Sequence, residues 1–378
     1  MERIAEVKTK KDLLRFIKLP LSLYRDDPMY SPLPVSEQKK LFDPAKNPFY
    51  KDARVKLFLL ERDGKAVGRI ASVIDGRHLE YHKDGAGFFG FYESVNDPVA
   101  AGALLDRVEA ELKAAGLKKI RGPMSFSTNE ECAFQVEGFN YPPMIMTPYN
   151  PPWYNDLMEV SGMKKAKDLI AYIRDMALPL PEKVRRVAAM AEKKGVTVRL
   201  ADMKKLNREL SIFRDVYNSS WKDNWGFIPI TPEEVDNMAK QLKGILVPEL
   251  TIIAKAGEEP VGFLGIVPDI NQVLRVLGGR LTPLGIVKAV FRFRKIDAIR
   301  LMLLGVKREW RGRGVEALMI RQGFEGIKSF GNKYKQIEFS WILEDNLPII
   351  YISEMIGGHV YKRYRIYERE ISPINRTI

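Results

Sequence analysis

The chain has 378 residues, 46% of them hydrophobic and 29% charged, with a net charge of +13 at neutral pH. That length exceeds one ordinary core and predicts two domains, and the composition is that of a folded, soluble protein. One cysteine, Cys132, excludes an internal disulfide; no run approaches the roughly 18 apolar residues of a membrane span, and the charges at Glu2 and Arg3 exclude a secretory leader, so the expected location is the cytoplasm.

Taken in chain order, residues 4–7 predict a strand and 11–24 and 34–43 helices. Residues 54–75 read as a hairpin turning at Asp63-Gly64, a pair suited to the left-handed backbone of a two-residue turn. A strand at 87–95, an amphipathic helix at 98–117 capped from Asn96 or Asp97, a strand from Lys118, a short helix at 151–162 and a strand at 164–175 complete the first half. A helix with Pro181 in its first turn and Gly195 as its stop then joins the halves.

The second half repeats the order: a strand from Val196, helices from Asn207 and from a Thr231–Glu234 capping box, and a hairpin at 251–267. A strand at 299–306, a helix from Val315, a strand at 336–343, a helix from Asn346 and a terminal strand follow. Asn150 and Asn346 each precede a glycine, Gly162 or Gly358, by twelve residues. The expected division is 1–175, a linker helix at 176–195, and 196–378.

Charge is concentrated. Residues 1–175 hold 27 Lys and Arg against 25 Asp and Glu, and the remainder holds 34 against 23. Residues 272–300 alone carry seven basic side chains and one acidic one. Within them, Leu284, Val287, Val290 and Phe291 can share one helical face, with Lys288, Arg292 and Lys295 on the other; a lid or a weak contact with an anionic surface fits that pattern. His78 and His82 have helical spacing but no evident third ligand, and no metal is expected.

The stretch KREWRGRGVEALM, residues 307–319, leaves a strand and enters a helix. Arg311, Gly312, Arg313, Gly314 and Val315 there combine positive charge, small residues and the free amides of a helix start, a combination that cradles phosphate. With this loop and the element order of 196–370, the second half resembles the Gcn5-related N-acetyltransferases, whose pyrophosphate loop has the form Arg-x-x-Gly-x-Gly/Ala. Glu316 occupies the last, small-residue position. The first half is similar in topology but carries FYESVNDPVAAG where the loop would be.

The resemblance implies two tandem domains of an α/β (α+β) fold, each a mixed twisted sheet flanked by helices, the N-terminal copy degenerate. It implies an acyltransferase in which an amine attacks acetyl-CoA, or another acyl-CoA, directly in a ternary complex. Leu304 and Val306 would face the pantetheine arm, amides from Arg311 to Val315 the pyrophosphate, and Asn346 would match a family asparagine. Ser353 stands where the family often has a tyrosine acid, and Tyr351 lies about 200° away around the helix. Glu338 is the expected general base, with Glu344 and Glu309 as alternatives.

Trp221, Asn224, Trp225 and Phe227 would line the acceptor wall for a small-molecule amine. No stable nucleic-acid partner is expected, and the oligomeric state is left open. Two other functions remain at this point: a non-catalytic CoA-binding sensor or scaffold, and transfer from an aminoacyl-tRNA on the same fold.

Overall fold

The computed structural model describes residues 2–242 and 244–372 and separates into two compact units. The first comprises residues up to 169, 273–289 and those from 362 on; the second comprises 170–272 and 290–361. The units therefore follow space rather than chain order. The segments 273–289 and 362–372, expected in the C-terminal domain, pack with the first unit. Sheet pairing explains the second of these returns, as described below.

The first unit runs β1 (Glu2–Glu6), α1 (Lys10–Leu23), α2 (Val35–Leu41), β2 (Ala53–Arg62), β3 (Lys65–Asp75), α3 (Gly76–His82), β4 (Ala86–Ser94), α4 (Pro98–Ala114), β5 (Lys119–Gly122), β6 (Phe134–Glu137), α5 (Trp153–Val160) and the start of β7 (Lys164–Asp175). Asp63 and Gly64 both take positive φ, 51° and 77°, as the hairpin turn requires. Asp97 caps α4 by accepting from the Val99 amide. Helix α4 buries Ala101, Leu104, Leu105, Val108 and Leu112 at helical spacing, in one cluster with Phe58, Ile70, Phe89 and Ile120. The strand expected to run on from Lys118 stops at Gly122, because Pro123 follows and offers no amide to a ladder.

The chain then continues with α6 (Glu182–Lys193), β8 (Val196–Leu200), α7 (Leu206–Ser220), α8 (Pro232–Leu242), β9 (Thr251–Ala256), β10 (Glu259–Pro268), α9 (Asn271–Leu277), α10 (Pro283–Arg294), β11 (Ala298–Val306), α11 (Val315–Lys328), β12 (Gln336–Leu343), α12 (Leu347–Met355) and β13 (His359–Glu370). In the second unit the strands lie in the order β12-β11-β10-β9-β8. The Thr231–Glu234 box forms, with the Glu234 amide 3.2 Å from Thr231 Oγ1 and the Thr231 amide 2.9 Å from Glu234 Oε2. Helix α11 buries Leu318, Met319, Ile320 and Phe324, and α7 packs Phe213 and Val216 with Ile253 and Phe263.

The tail of β13 completes the first unit's sheet. Tyr367 pairs with Gly122 and Arg369 with Ile120, antiparallel to β5. Arg365 grips the buried Asp168 through both carboxylate oxygens, at 2.8 and 3.1 Å. Apart from the short α3 and β6 in one half of the sequence and α9 and α10 in the other, the element order of the halves repeats as the sequence predicts.

Candidate active site

The second unit opens between two parallel strands. β11 and β12 pair only over Ala298–Leu301 with Gln336–Phe339, although β11 runs on to Val306 and β12 to Leu343. On its other edge β11 pairs with β10, where Leu303 faces Gly265 and Leu301 faces Ile266, leaving Met302 as a bulge. A bulge breaks the ladder and bends the strand, and here it sits where pairing with β12 ends.

The resulting cleft encloses about 120 Å³. Its wall is mainly aliphatic and aromatic, including Leu304, Ile320, Phe324, Phe339, Ile349 and Ile356. Polar side chains are few: Trp221, Asn224, Ser340, Trp341, Asn346 and Ser353. The residues lining the cleft include no Asp, Glu, His, Lys or Arg.

The expected residues divide into those at the cleft and those away from it. Leu304, Asn346, Ser353, Trp221 and Asn224 line it. Asn346 begins α12 without a side-chain cap, so its amide is not spent on the helix. The Ser353 hydroxyl donates to the Ile349 carbonyl one turn back, at 2.9 Å. Trp221 stacks on Tyr217 with ring centroids 4.8 Å apart and presses on the strand. A Cβ at Gly305 would fall 2.3 Å from its ring, so that glycine admits the tryptophan.

Glu338 is fully buried but on the sheet face opposite its neighbours Ile337 and Phe339, which line the cleft. It accepts from the Tyr361 hydroxyl at 2.7 Å and lies 3.6 Å from Arg300 Nε, so its role in this arrangement is to hold β11, β12 and β13 together. Phe227 is buried against Tyr217, and neither it nor Trp225 is among the lining residues. Val306 is buried at the strand end and does not line the cleft. Tyr351 is 55% exposed and accepts from Lys183 on the outer side of α12, as its angle implies.

The Arg-Gly loop follows β11 directly. Gly312 and Gly314 take φ of 69° and 87°. Gly314 caps α11 with no side chain, and the Leu318 amide donates to its carbonyl, so the amides ahead of Leu318 stand outside the helix ladder. The arginines are used differently from the sequence expectation. Arg311 turns back, its Nε 3.2 Å from the Val306 carbonyl and its second nitrogen on the Ser220 carbonyl. It thereby ties the end of β11 to the end of α7. Arg313 lies over the Trp310 ring. Gly314 itself faces α6, where a Cβ would come 2.8 Å from the Val187 carbonyl.

Burial pushes the Glu316 carboxyl above the ordinary carboxylate range, against its own amide and Arg311, which favour the charge.

The aliphatic wall is what sequence reasoning missed. A signal existed in α12, LPIIYISEM, whose isoleucines cover more than one helical face. A bulge, by contrast, is a property of strand register and leaves no mark in a single strand's sequence.

The chain is 34% identical over 367 residues to Protein YghO of Escherichia coli (strain K12), covering 96% of this chain and 94% of that one. It is equally, 34%, identical over 377 residues to Bacterial ceramide synthase of Caulobacter vibrioides (strain NA1000 / CB15N), covering 97% of each. No family model matches the chain. Among solved structures, a tandem GNAT protein from the clavulanic acid biosynthesis pathway superposes with a TM-score of 0.57 at 10% identity, over 99% of this chain and all of that one. A GCN5-related N-acetyltransferase from Sphaerobacter thermophilus gives 0.52 at 15%, over 98% and 96%. The chain belongs to the family of these two 34%-identical proteins, and its fold is that of the tandem GCN5-related N-acetyltransferases.

Within this tandem GNAT-like fold the first unit shows how such a cleft is closed. β4 and β5 also pair briefly, Ala86–Phe88 with Lys119–Arg121. Beyond that point the Met124 amide donates to the Phe89 carbonyl at 2.8 Å, and a Cβ at Gly90 would fall 2.0 Å from the Met124 carbonyl. Phe126, fully buried with φ of 93°, packs among Phe42, Phe49 and Phe91. Backbone and aromatic rings thus fill the place that stays open in the second unit.

Proposed function

We propose that the second unit is an acyl-CoA-dependent N-acyltransferase whose acyl or acceptor group carries an aliphatic chain. The observation that carries this reading is the apolar opening between β11 and β12, with the uncapped start of α11 following the same strand. The residues present fit a CoA thioester. The unpaired edge of β11 over Met302–Val306 offers backbone groups to an extended amide-bearing arm, and the amides at the start of α11 suit a pyrophosphate. When bound, the thioester supplies an activated acyl carbon. An amine held in the cleft forms a C–N bond to that carbon as the C–S bond breaks, and its proton passes to the departing sulfur.

The chain's own part is to orient and to exclude water. Asn224, Asn346 and backbone groups at the bulge are among the donors at the cleft available to a developing oxyanion. The aliphatic wall favours chains over compact acetyl groups, at about 0.8 kcal/mol for each buried methylene. Similarity to a protein named ceramide synthase supports the same direction, since a ceramide joins a fatty acyl group to a long-chain amine.

Titration calorimetry with acetyl-CoA and octanoyl-CoA tests the reading. Octanoyl-CoA is expected to bind at least about tenfold tighter, and Ile352→Trp, which places an indole in the cleft, is expected to weaken both. Absence of binding by either thioester to the unmodified chain overturns it. The lack of an ionisable side chain on the cleft wall also favours a second reading, a CoA-binding sensor. Amide formation from octanoyl-CoA and a long-chain amine, abolished by Ile352→Trp, would exclude that one.

A further inference from the structure

Helix α10 is packed the wrong way round for a water-soluble surface. It has no buried residue, yet Leu284 is 66% exposed and Phe291 62%, and Ile286, Val287, Val290 and Phe293 are exposed as well. At 100° per residue these six side chains cover about half the circumference, and Lys288 and Arg292 lie on the other half. A helix of this pattern normally buries its apolar face.

Here the polar side is tied down instead. Arg292 donates to Gln272 at 2.6 Å, and Gln272, itself buried, donates to Asp297 at 2.9 Å. The hydrocarbon face is left outward.

Charge identifies what covers it. Between Asp269 and Asp297 the sequence holds no acidic residue and six basic ones, Arg275, Arg280, Lys288, Arg292, Arg294 and Lys295. A second copy would bring this positive strip against itself, which like-charge repulsion opposes. An anionic bilayer meets both requirements, giving phosphate headgroups to the lysine and arginines and an acyl boundary to the leucine and phenylalanines. No helix among the described residues is long and apolar enough to cross a membrane, so such contact would be made from the side.

We propose that α10 lies in the interfacial plane of an anionic lipid bilayer, its Leu284–Phe291 face inserted, and seats the protein there. The inference stands apart from the acyl-transfer reading, because seating on lipid requires no turnover. Flotation of the full chain with vesicles tests it. The chain is expected to float with mixed phosphatidylglycerol–phosphatidylcholine vesicles and at least about tenfold less with phosphatidylcholine alone. Leu284→Asp/Phe291→Asp is expected to lose about tenfold or more of that binding, and Lys288→Glu/Arg294→Glu a comparable amount. All four positions are exposed, so an unchanged melting temperature serves as the folding control. The proposal is overturned if the unmodified chain stays with the unbound fraction, or if Leu284→Asp/Phe291→Asp floats equally well. It is also overturned if light scattering shows a dimer that this variant disperses, which would place a second copy on the face.

Discussion

His78 is 2% exposed, with Nε2 3.1 Å from Asp84 and its ring 4.5 Å from that of His82. Burial pushes its pKa from 6.5 down to about 4, despite the nearby carboxylate. The folded state therefore resists a proton that the unfolded chain accepts readily. Stability from this group is full above pH 6.5 and is lost as the pH falls toward 4. Asp84 acts in the same sense: burial raises its pKa, but the Ala86 amide and Arg121 hold it below the ordinary value, so its contribution also disappears on acidification. Urea unfolding followed across that window is expected to show a loss of up to about 3 kcal/mol in the first unit. His78→Gln is expected to flatten the dependence. The histidine spacing was legible in the sequence; that His78 is buried beside Asp84, with its ring against that of His82, follows from neighbours brought in by the fold.

At the scale of elements, the start of α11 separates two glycines that the sequence presents as equivalent. A side chain at Gly312 meets nothing within 4 Å, whereas one at Gly314 meets the backbone of α6. Both have positive φ, so both substitutions strain the chain, but only the second forces two helices apart. Gly312→Ala is expected to cost about 1 kcal/mol, and Gly314→Ala about 2 to 3 kcal/mol, by chemical denaturation of the second unit. Equal costs would count against helix–helix packing as the reason for Gly314. The loop's place between strand and helix was readable from periodicity. The redirection of Arg311 onto Val306 and Ser220 was not, because those carbonyls reach it only through the packing of β11 and α7. Glu338 teaches the same lesson. Alternation along a strand shows that it and Phe339 face opposite ways, but not which face borders an opening.

Across the whole molecule, the last strand is the most consequential connection. Tyr367 is 1% exposed and sits in the first unit's core beside Phe134, with its hydroxyl 3.0 Å from Asn155. Tyr367→Ala is expected to destabilise that unit by about 3 kcal/mol or more through the cavity it leaves. Limited proteolysis should then cut first within residues 2–169, far from the substitution in sequence. Cleavage confined to the second unit would contradict the assignment of β13's tail to the first.

The sequence by itself determined the mixed α/β class, the repeated element order, the hairpin at Asp63-Gly64, the Thr231–Glu234 cap and the loop entering α11. Each depends on residues close together in the chain, where turn chemistry, capping and side-chain periodicity act. Tertiary structure alone decided that β11 and β12 part at Met302, that the opening is lined by aliphatic side chains, that the first unit's counterpart is filled by Phe126, and that β13 closes a sheet begun at residue 2. Those outcomes depend on register and close packing between segments far apart in sequence, and local pattern does not encode which of two faces, or which of two partners, a strand will meet.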